Sequence, residues 1–306
     1  EFLRGLYTGG IPKVGRIGLL YFADDRGRIV TEMSAMRLDE DFFFLITAAT
    51  AEWHDWEWLQ KHMPADAKFS MTNVTKEFST QILTGPKSRE ILAEVSNADP
   101  SQGWLTHQSA QIGETWGQLV RVSFAGELGW EIHSKVEDTA TVYDMVMEAG
   151  AKHGLKPFGM WALNCLRIEK GYRAWKGDLS TDYSMLQGGL DRFVKLDKPQ
   201  DFPGKAAIQN EKQQGVTKRF CTLIVDAGDC DAPYMSSIWK DGQIVGETTS
   251  GAWGYRVGAS IALGMIRTDL AEVGTEVEIE IYGEKRKAVV QKDEPLWDPA
   301  NERLRA

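Results

Sequence analysis

Phe124-Ala125-Gly126-Glu127-Leu128-Gly129-Trp130-Glu131 is the stretch on which the reading of this chain turns. Ahead of it, Gln118 to Ser123 sets apolar Leu119, Val120 and Val122 against Arg121 and Ser123, the pattern of a half-buried strand. Gly126 and Gly129 then bracket a tight reversal, where a missing Cβ permits positive φ or close backbone approach. Trp130-Glu131-Ile132 resumes an extended run. With Trp130 and Ile132 on one face, Glu131 points to the other, beside any ligand held in the corner. A carboxylate fixed on strand backbone suits bidentate recognition of a planar pair of N–H donors. By spacing alone, a plainer hairpin with a solvated glutamate stands ahead of a binding site.

At 306 residues and 34.3 kDa, the chain has core for about two domains. An apolar share of 42% and a charged share of 26% are those of an ordinary globular protein. The net charge of −9 argues against nucleic-acid or membrane-surface partners, because phosphate rewards the opposite sign. Cys165, Cys221 and Cys230 are scattered and odd in number, so neither a disulfide framework nor a zinc site is expected. The five histidines show no paired-ligand spacing, and no metal is expected. A reducing compartment fits, the bacterial cytoplasm or the mitochondrial matrix. No apolar run reaches the roughly 18 residues of a membrane span, and no signal peptide opens the chain. Its start at Glu1-Phe2-Leu3 reads as the middle of a longer polypeptide.

Ile17 to Phe22, Gly27 to Leu38 and Asp41 to Ala48 read as three strands, followed by a helix from Thr50 to Met63. In that helix Trp53 and Trp56 share a face and are expected in the core. Lys68 to Val74 and Phe78 to Leu83 read as two more strands. Helices follow from Pro86 to Ser96, Val136 to Gly154 and Pro157 to Lys170. The polar stretch Glu211 to Gly215 reads as a linker. Beyond it come short strands only: Phe220 to Val225, Ser237 to Trp239, Gln243 to Glu247, Ala259 to Met265, Glu276 to Ile281 and Ala288 to Gln291. Lys240-Asp241-Gly242-Gln243 carries a strong two-residue hairpin signal and Tyr282-Gly283 a weaker one. The expectation is an α+β domain over 1–215 and a small all-β barrel over 216–306.

Three glycine-punctuated segments remain: Gly27-Arg28-Ile29-Val30-Thr31-Glu32, the opening block, and Leu166-Arg167-Ile168-Glu169-Lys170-Gly171-Tyr172-Arg173-Ala174-Trp175, which leads on to Gln187–Lys198 and Asp201–Lys205. In this order, with Glu247-Thr248-Thr249-Ser250-Gly251 further on, they resemble the folate-binding half of the dimethylglycine and sarcosine dehydrogenase family. The glycine-cleavage T-protein (aminomethyltransferase) is a more distant member of the same group. The resemblance covers essentially the whole chain and is densest from about 118 to 208.

What it implies is a T-protein-like domain that binds tetrahydrofolate, a barrel behind it, and an FAD domain upstream or in the same complex. FAD is not expected here, since the chain has no GxGxxG fingerprint. The implied substrate is a small N-methyl amine or amino acid, oxidised at the flavin. Tetrahydrofolate would capture the one-carbon unit as 5,10-methylenetetrahydrofolate. By the resemblance, Glu32 matches the essential acidic position and Glu131 the glutamate that binds the pterin edge, which turns the balance at the opening block toward function. Phe124 stands where the family has Tyr, and Trp175 aligns with an aromatic of the folate pocket. Lys170, Arg173 and Lys176 read as a solvated basic run, although they also suit an anionic glutamyl tail. The rivals are a stand-alone aminomethyltransferase, against which Leu163 stands in place of a functional Arg, and a non-enzymatic folate-binding accessory protein, whose Lys-Gly-Cys motif is here Lys170-Gly171-Tyr172.

Overall fold

A computed structural model describes residues 1–306. After a short helix α1 (Phe2–Leu6), strands β1 (Ile17–Ala23), β2 (Ile29–Arg37) and β3 (Phe43–Ile46) form an antiparallel sheet. Helix α2 (Glu52–His62) buries Leu59 against it with Leu20, Phe22 and Met33. The aromatic that joins this core is Trp58, 5.1 Å from Phe22, whereas Trp53 is 66% exposed. Helical spacing named a pair, but the sheet lies against the other side of the helix.

The second sheet has the order β4-β7-β6-β5, built from β4 (Phe78–Thr84), β5 (His107–Ile112), β6 (Thr115–Val120) and β7 (Gly129–Lys135). Helices α3 (Ser88–Val95) and α4 (Thr139–Ala151) cover its apolar face, enclosing Leu83, Ile112, Leu119, Trp130 and Ile132. The two sheets meet where Met36 of β2 packs with Val120 of β6. Lys68 to Val74, expected as a strand, is irregular. There the Asn73 side chain accepts from the Thr75 amide at 3.0 Å, a turn that competes with strand pairing.

Helix α5 (Met160–Glu169) packs on the barrel, and an irregular connection then runs to α6 (Lys205–Gln214). The expected linker is the last turn of α6, which ends on Gly215 at φ 83°. Only Ile208 of α6 is buried, so a polar composition hid a helix. Strands β8 (Lys218–Val225), β9 (Ser237–Lys240), β10 (Gln243–Gly254), β11 (Ala259–Arg267), β12 (Glu276–Ile281) and β13 (Glu284–Val290) close a six-stranded barrel in the order β10-β11-β8-β13-β12-β9. Alternate residues of β12, namely Val277, Ile279 and Ile281, point into its core. Both hairpin signals hold: Asp241-Gly242 and Tyr282-Gly283 each have positive φ at both central residues. A last turn, α7 (Glu302–Arg305), returns to the second sheet through Leu304. No helix is long and apolar enough to cross a membrane.

Candidate functional site

The glycine corner is shaped by two different demands. Gly126 has φ 73°, and a Cβ there would strike the Lys170 stem, so the residue answers both to backbone and to space. Gly129 has no positive φ; its missing Cβ leaves room for the Leu83 carbonyl and the Thr84 hydroxyl, each 2.9 Å from where it would stand. The corner is pinned by Arg256. This guanidinium pairs with Glu127 at 2.7 Å and with Glu169, and donates to the carbonyls of Ala125 (3.1 Å) and Leu166 (3.0 Å). Glu127 is thereby a structural carboxylate. Lys170 is fully buried and donates to the Asp298 carbonyl and to Asn301 Oδ1.

Beyond the corner, β7 places Trp130 and Ile132 in the core at 1% and 0% exposure, and Glu131 on the other face. One oxygen of Glu131, Oε2, lies 3.1 Å from His133 Nε2. Thr80 Oγ1 sits 2.9 Å from His133 Nδ1, so a hydroxyl donating there leaves the ring proton on Nε2, directed at the glutamate. Oε1 has no protein partner. A planar donor pair would therefore meet one free oxygen and one already shared with histidine.

Glu32 stands on β2 directly across from Tyr21 of β1. Burial pushes its carboxyl up to about 7, with Asp178 and Asp55 adding to the rise, while the Tyr21 hydroxyl and the Arg173 guanidinium oppose it. Asp55 on α2 is held by Thr47 and by His54 Nδ1 at 2.8 Å, and the His54 ring lies 5.8 Å from Trp175. The indole Nε1 of Trp175 is buried and has no partner.

Asp178 ties this neighbourhood together. It accepts from Arg167 (2.5 Å) and from the Ala174 amide (2.8 Å) on one oxygen, and from Thr249 (2.5 Å) and Ser250 (2.8 Å) on the other. Sequence reasoning passed over Asp178, Arg167 and Asp55. Arg167 lay within the quoted segment 166–175, but Asp55 and Asp178 lay outside the quoted segments and find their partners only in three dimensions. The basic run is not solvated. Lys170 is buried, Arg173 donates to the Gly188 carbonyl and lies over the Phe220 ring at 4.0 Å, and only Lys176 is exposed.

Phe124, 37% exposed, stacks on Tyr172 at 6.1 Å with planes 15° apart. The segment from 172 to 178 thus runs from the corner to the surroundings of Glu32, passing Phe124 at one end and carrying Trp175 in its middle. Glu131 joins from the second sheet: its strand partner Val120 packs with Met36, which shares a face of β2 with Glu32 four residues upstream, about 13 Å along the strand. Two open cavities, of about 470 and 490 Å³, lie away from these residues.

Two family models match the chain: the GCVT N-terminal domain over residues 1–198 and the glycine cleavage T-protein C-terminal barrel domain over 218–298. Mouse mitochondrial dimethylglycine dehydrogenase is 36% identical, covering 99% of this chain but 36% of its own length. The chain thus spans about a third of that relative. The aminomethyltransferase of Bacillus mycoides (strain KBAB4) is 32% identical over 94% of this chain and 79% of its own. The crystal structure of glycine cleavage system aminomethyltransferase T from Bartonella henselae superposes with a TM-score of 0.86 over 97% of this chain and 81% of that one, at 21% identity, which bears on the fold.

Proposed function

This chain belongs to the glycine cleavage T-protein family, and from that membership we propose that it is the tetrahydrofolate-binding portion of a flavin-dependent N-methyl amino acid dehydrogenase. The observation that supports this reading most is Glu32, a carboxyl whose pKa of about 7 suits it to give and take a proton near neutrality. An FAD-bearing domain, in the same polypeptide or complex, would supply the oxidation of the N-methyl amine.

In this reading Glu131 orients the pterin edge through its free oxygen, with His133 fixing the other. Glu32 takes the proton released as a folate nitrogen captures the one-carbon unit, and its buried setting keeps water from competing. The unpartnered Trp175 indole N–H suits an acceptor on the ligand, and the Phe124–Tyr172 stack offers an aromatic wall. The rival reading, a stand-alone aminomethyltransferase, is supported by the Bacillus relative. Ammonia release from an aminomethylated lipoyl carrier would favour it. Against it, Leu163 is buried and offers no charge where a functional Arg is expected.

Calorimetric titration of the intact protein with tetrahydrofolate tests the site. Glu131→Ala is expected to weaken binding by about 1.5–3 kcal/mol, the worth of a hydrogen bond to a charged group. Glu32→Ala is expected to leave binding nearly intact and to divert product from methylenetetrahydrofolate to formaldehyde. Unchanged affinity in the first variant and unchanged product in the second would overturn the assignment.

A further inference from the structure

Two enclosed arginines near the candidate site are fully committed to the fold. The terminal nitrogens of Arg167 donate to Asn164, Tyr172, Asp178 and Ser250, and those of Arg256 to Glu127 and to the carbonyls of Ala125 and Leu166. Arg173 differs. Its Nε donates to the Gly188 carbonyl at 2.8 Å and its guanidinium lies over the Phe220 ring at 4.0 Å. The two terminal nitrogens, the fork that would grip a carboxylate, make no hydrogen bond within the chain. Room for them is built in: a Cβ at Gly189, where φ is 66°, would stand 2.7 Å from one of them.

Arg173 and Glu32 share Tyr21 as a neighbour. Glu32 lies directly across from Tyr21 in the β1–β2 ladder, and the Arg173 charge acts on both the phenol and the carboxyl. Acid and cation nevertheless do not pair, and each keeps part of its surface accessible, whereas Tyr21 and Asp178 beside them are closed off. Burial holds the Arg173 guanidinium below its ordinary value, with Arg192 adding to the fall and Asp293, Tyr21 and Asp178 opposing it. Burial likewise raises Glu32 to about 7. Each charged form is therefore short of a partner. An acid and a cation with common surroundings would ordinarily close on each other, since desolvation strengthens their attraction. Held apart, they offer opposite charges to one small molecule.

We propose that Arg173 and Glu32 together hold a small zwitterion, its carboxylate on the free fork of Arg173 and its cationic nitrogen at Glu32, and that Arg173 thereby selects one-carbon donors that carry a carboxylate. The inference rests on the folate reading, in which the one-carbon unit is captured beside Glu32. An N-methyl amino acid oxidised to its iminium carries both charges, whereas a simple methylamine lacks the anionic half. The planar fork reads two oxygens at once, which makes Arg173 a specificity residue. A cation at Glu32 also favours the ionised carboxylate, the form that accepts the proton released on capture.

The test is calorimetric titration of the whole chain with N,N,N-trimethylglycine, which holds a fixed cation beside a carboxylate, and with choline, in which a hydroxyl group replaces the carboxylate. The unaltered protein is expected to bind the first about tenfold more tightly, the difference made by charge-assisted hydrogen bonds. Arg173→Gln is expected to bind the two alike. Arg173→Lys, which keeps the charge without the fork, is expected to recover part of the preference. Tetrahydrofolate is expected to bind both variants as it binds the unaltered protein, which also shows that they fold. Absent or equal binding of the two probes by the unaltered protein overturns the proposal, and so does a preference that survives in Arg173→Gln. Failure of the folate reading would look different: the unaltered protein would take up no tetrahydrofolate, whatever its preference between the probes.

Discussion

The barrel and the connection from Gly171 to Gly204 pack against each other but are held in shape by different means. In the barrel, six strands satisfy one another's backbone groups, and Leu223, Ile238, Leu263 and Ile279 are at 0% exposure. The connection also buries Leu179 and Met185 completely, yet its only regular element is one 3-10 turn at Asp191–Phe193. Its path is set by side chains that bond to backbone: Asp178 to the Ala174 amide, Arg167 to the Tyr172 carbonyl, Arg173 to the Gly188 carbonyl. The difference teaches where irregular geometry comes from. A ladder gives strength but one shape, whereas a polar network can hold Arg173, Trp175 and Asp178 at positions no strand would supply.

The contrast is most open to attack at Asp178. Asp178→Ala leaves the Arg167 guanidinium buried and unpaired and is expected to cost about 3–5 kcal/mol by urea denaturation, as much as Leu263→Ala in the barrel at about 2–5 kcal/mol. Replacing Arg167 and Asp178 together with Met and Leu is expected to recover most of that stability without recovering tetrahydrofolate binding. Recovery of both would show that the network serves packing alone.

A pH dependence sharpens the comparison next, because the setting of Glu32 is made partly by the connection. The folded carboxyl titrates near 7 against an ordinary 4.5. Between about 4.5 and about 7 the folded chain keeps a proton that the unfolded chain has lost, so stability falls as pH rises through this window and levels off above it. Thermal midpoints across that range are expected to show the decline in the unaltered protein and a shallower one in Glu32→Gln. Identical slopes would mean that Glu32 titrates normally.

The smallest effect expected is at Phe124. Phe124→Tyr adds a hydroxyl at a half-exposed ring and is expected to tighten tetrahydrofolate by about 0.5–1.5 kcal/mol, read by the same calorimetry. Unchanged affinity would place the ring away from the ligand.

Much of the architecture was legible because it rests on local pattern. The period-two strands, the two hairpins with paired positive φ and the outward turn of Glu131 all follow from neighbours in sequence. What escaped depended on tertiary partners. His107–Ile112 forms an edge strand although its residues are largely polar, because β6 pairs with it and only Ala110 and Ile112 need burial. Helix α6 needed one apolar contact, Ile208, and so carried no amphipathic stripe. The charges around Glu32 come from α2 and from the connection, and no spacing along the chain links residue 55 to residue 178. Lys170 and Arg173 looked solvated for the same reason, since their partners Asp298 and Phe220 lie far downstream.

Arg256 sits in the turn between β10 and β11, 129 residues from the Glu127 it pairs with. The corner that presents Glu131 is therefore a composite, part of it encoded in the barrel. A barrel borrowed from a relative would have to bring its own cation to this point. Without one, Glu127 and Glu169 would face each other with nothing between them, and the turn would open. The two halves of the fold are consequently not free to be shuffled among lineages, and a change in one is felt as a constraint on the other.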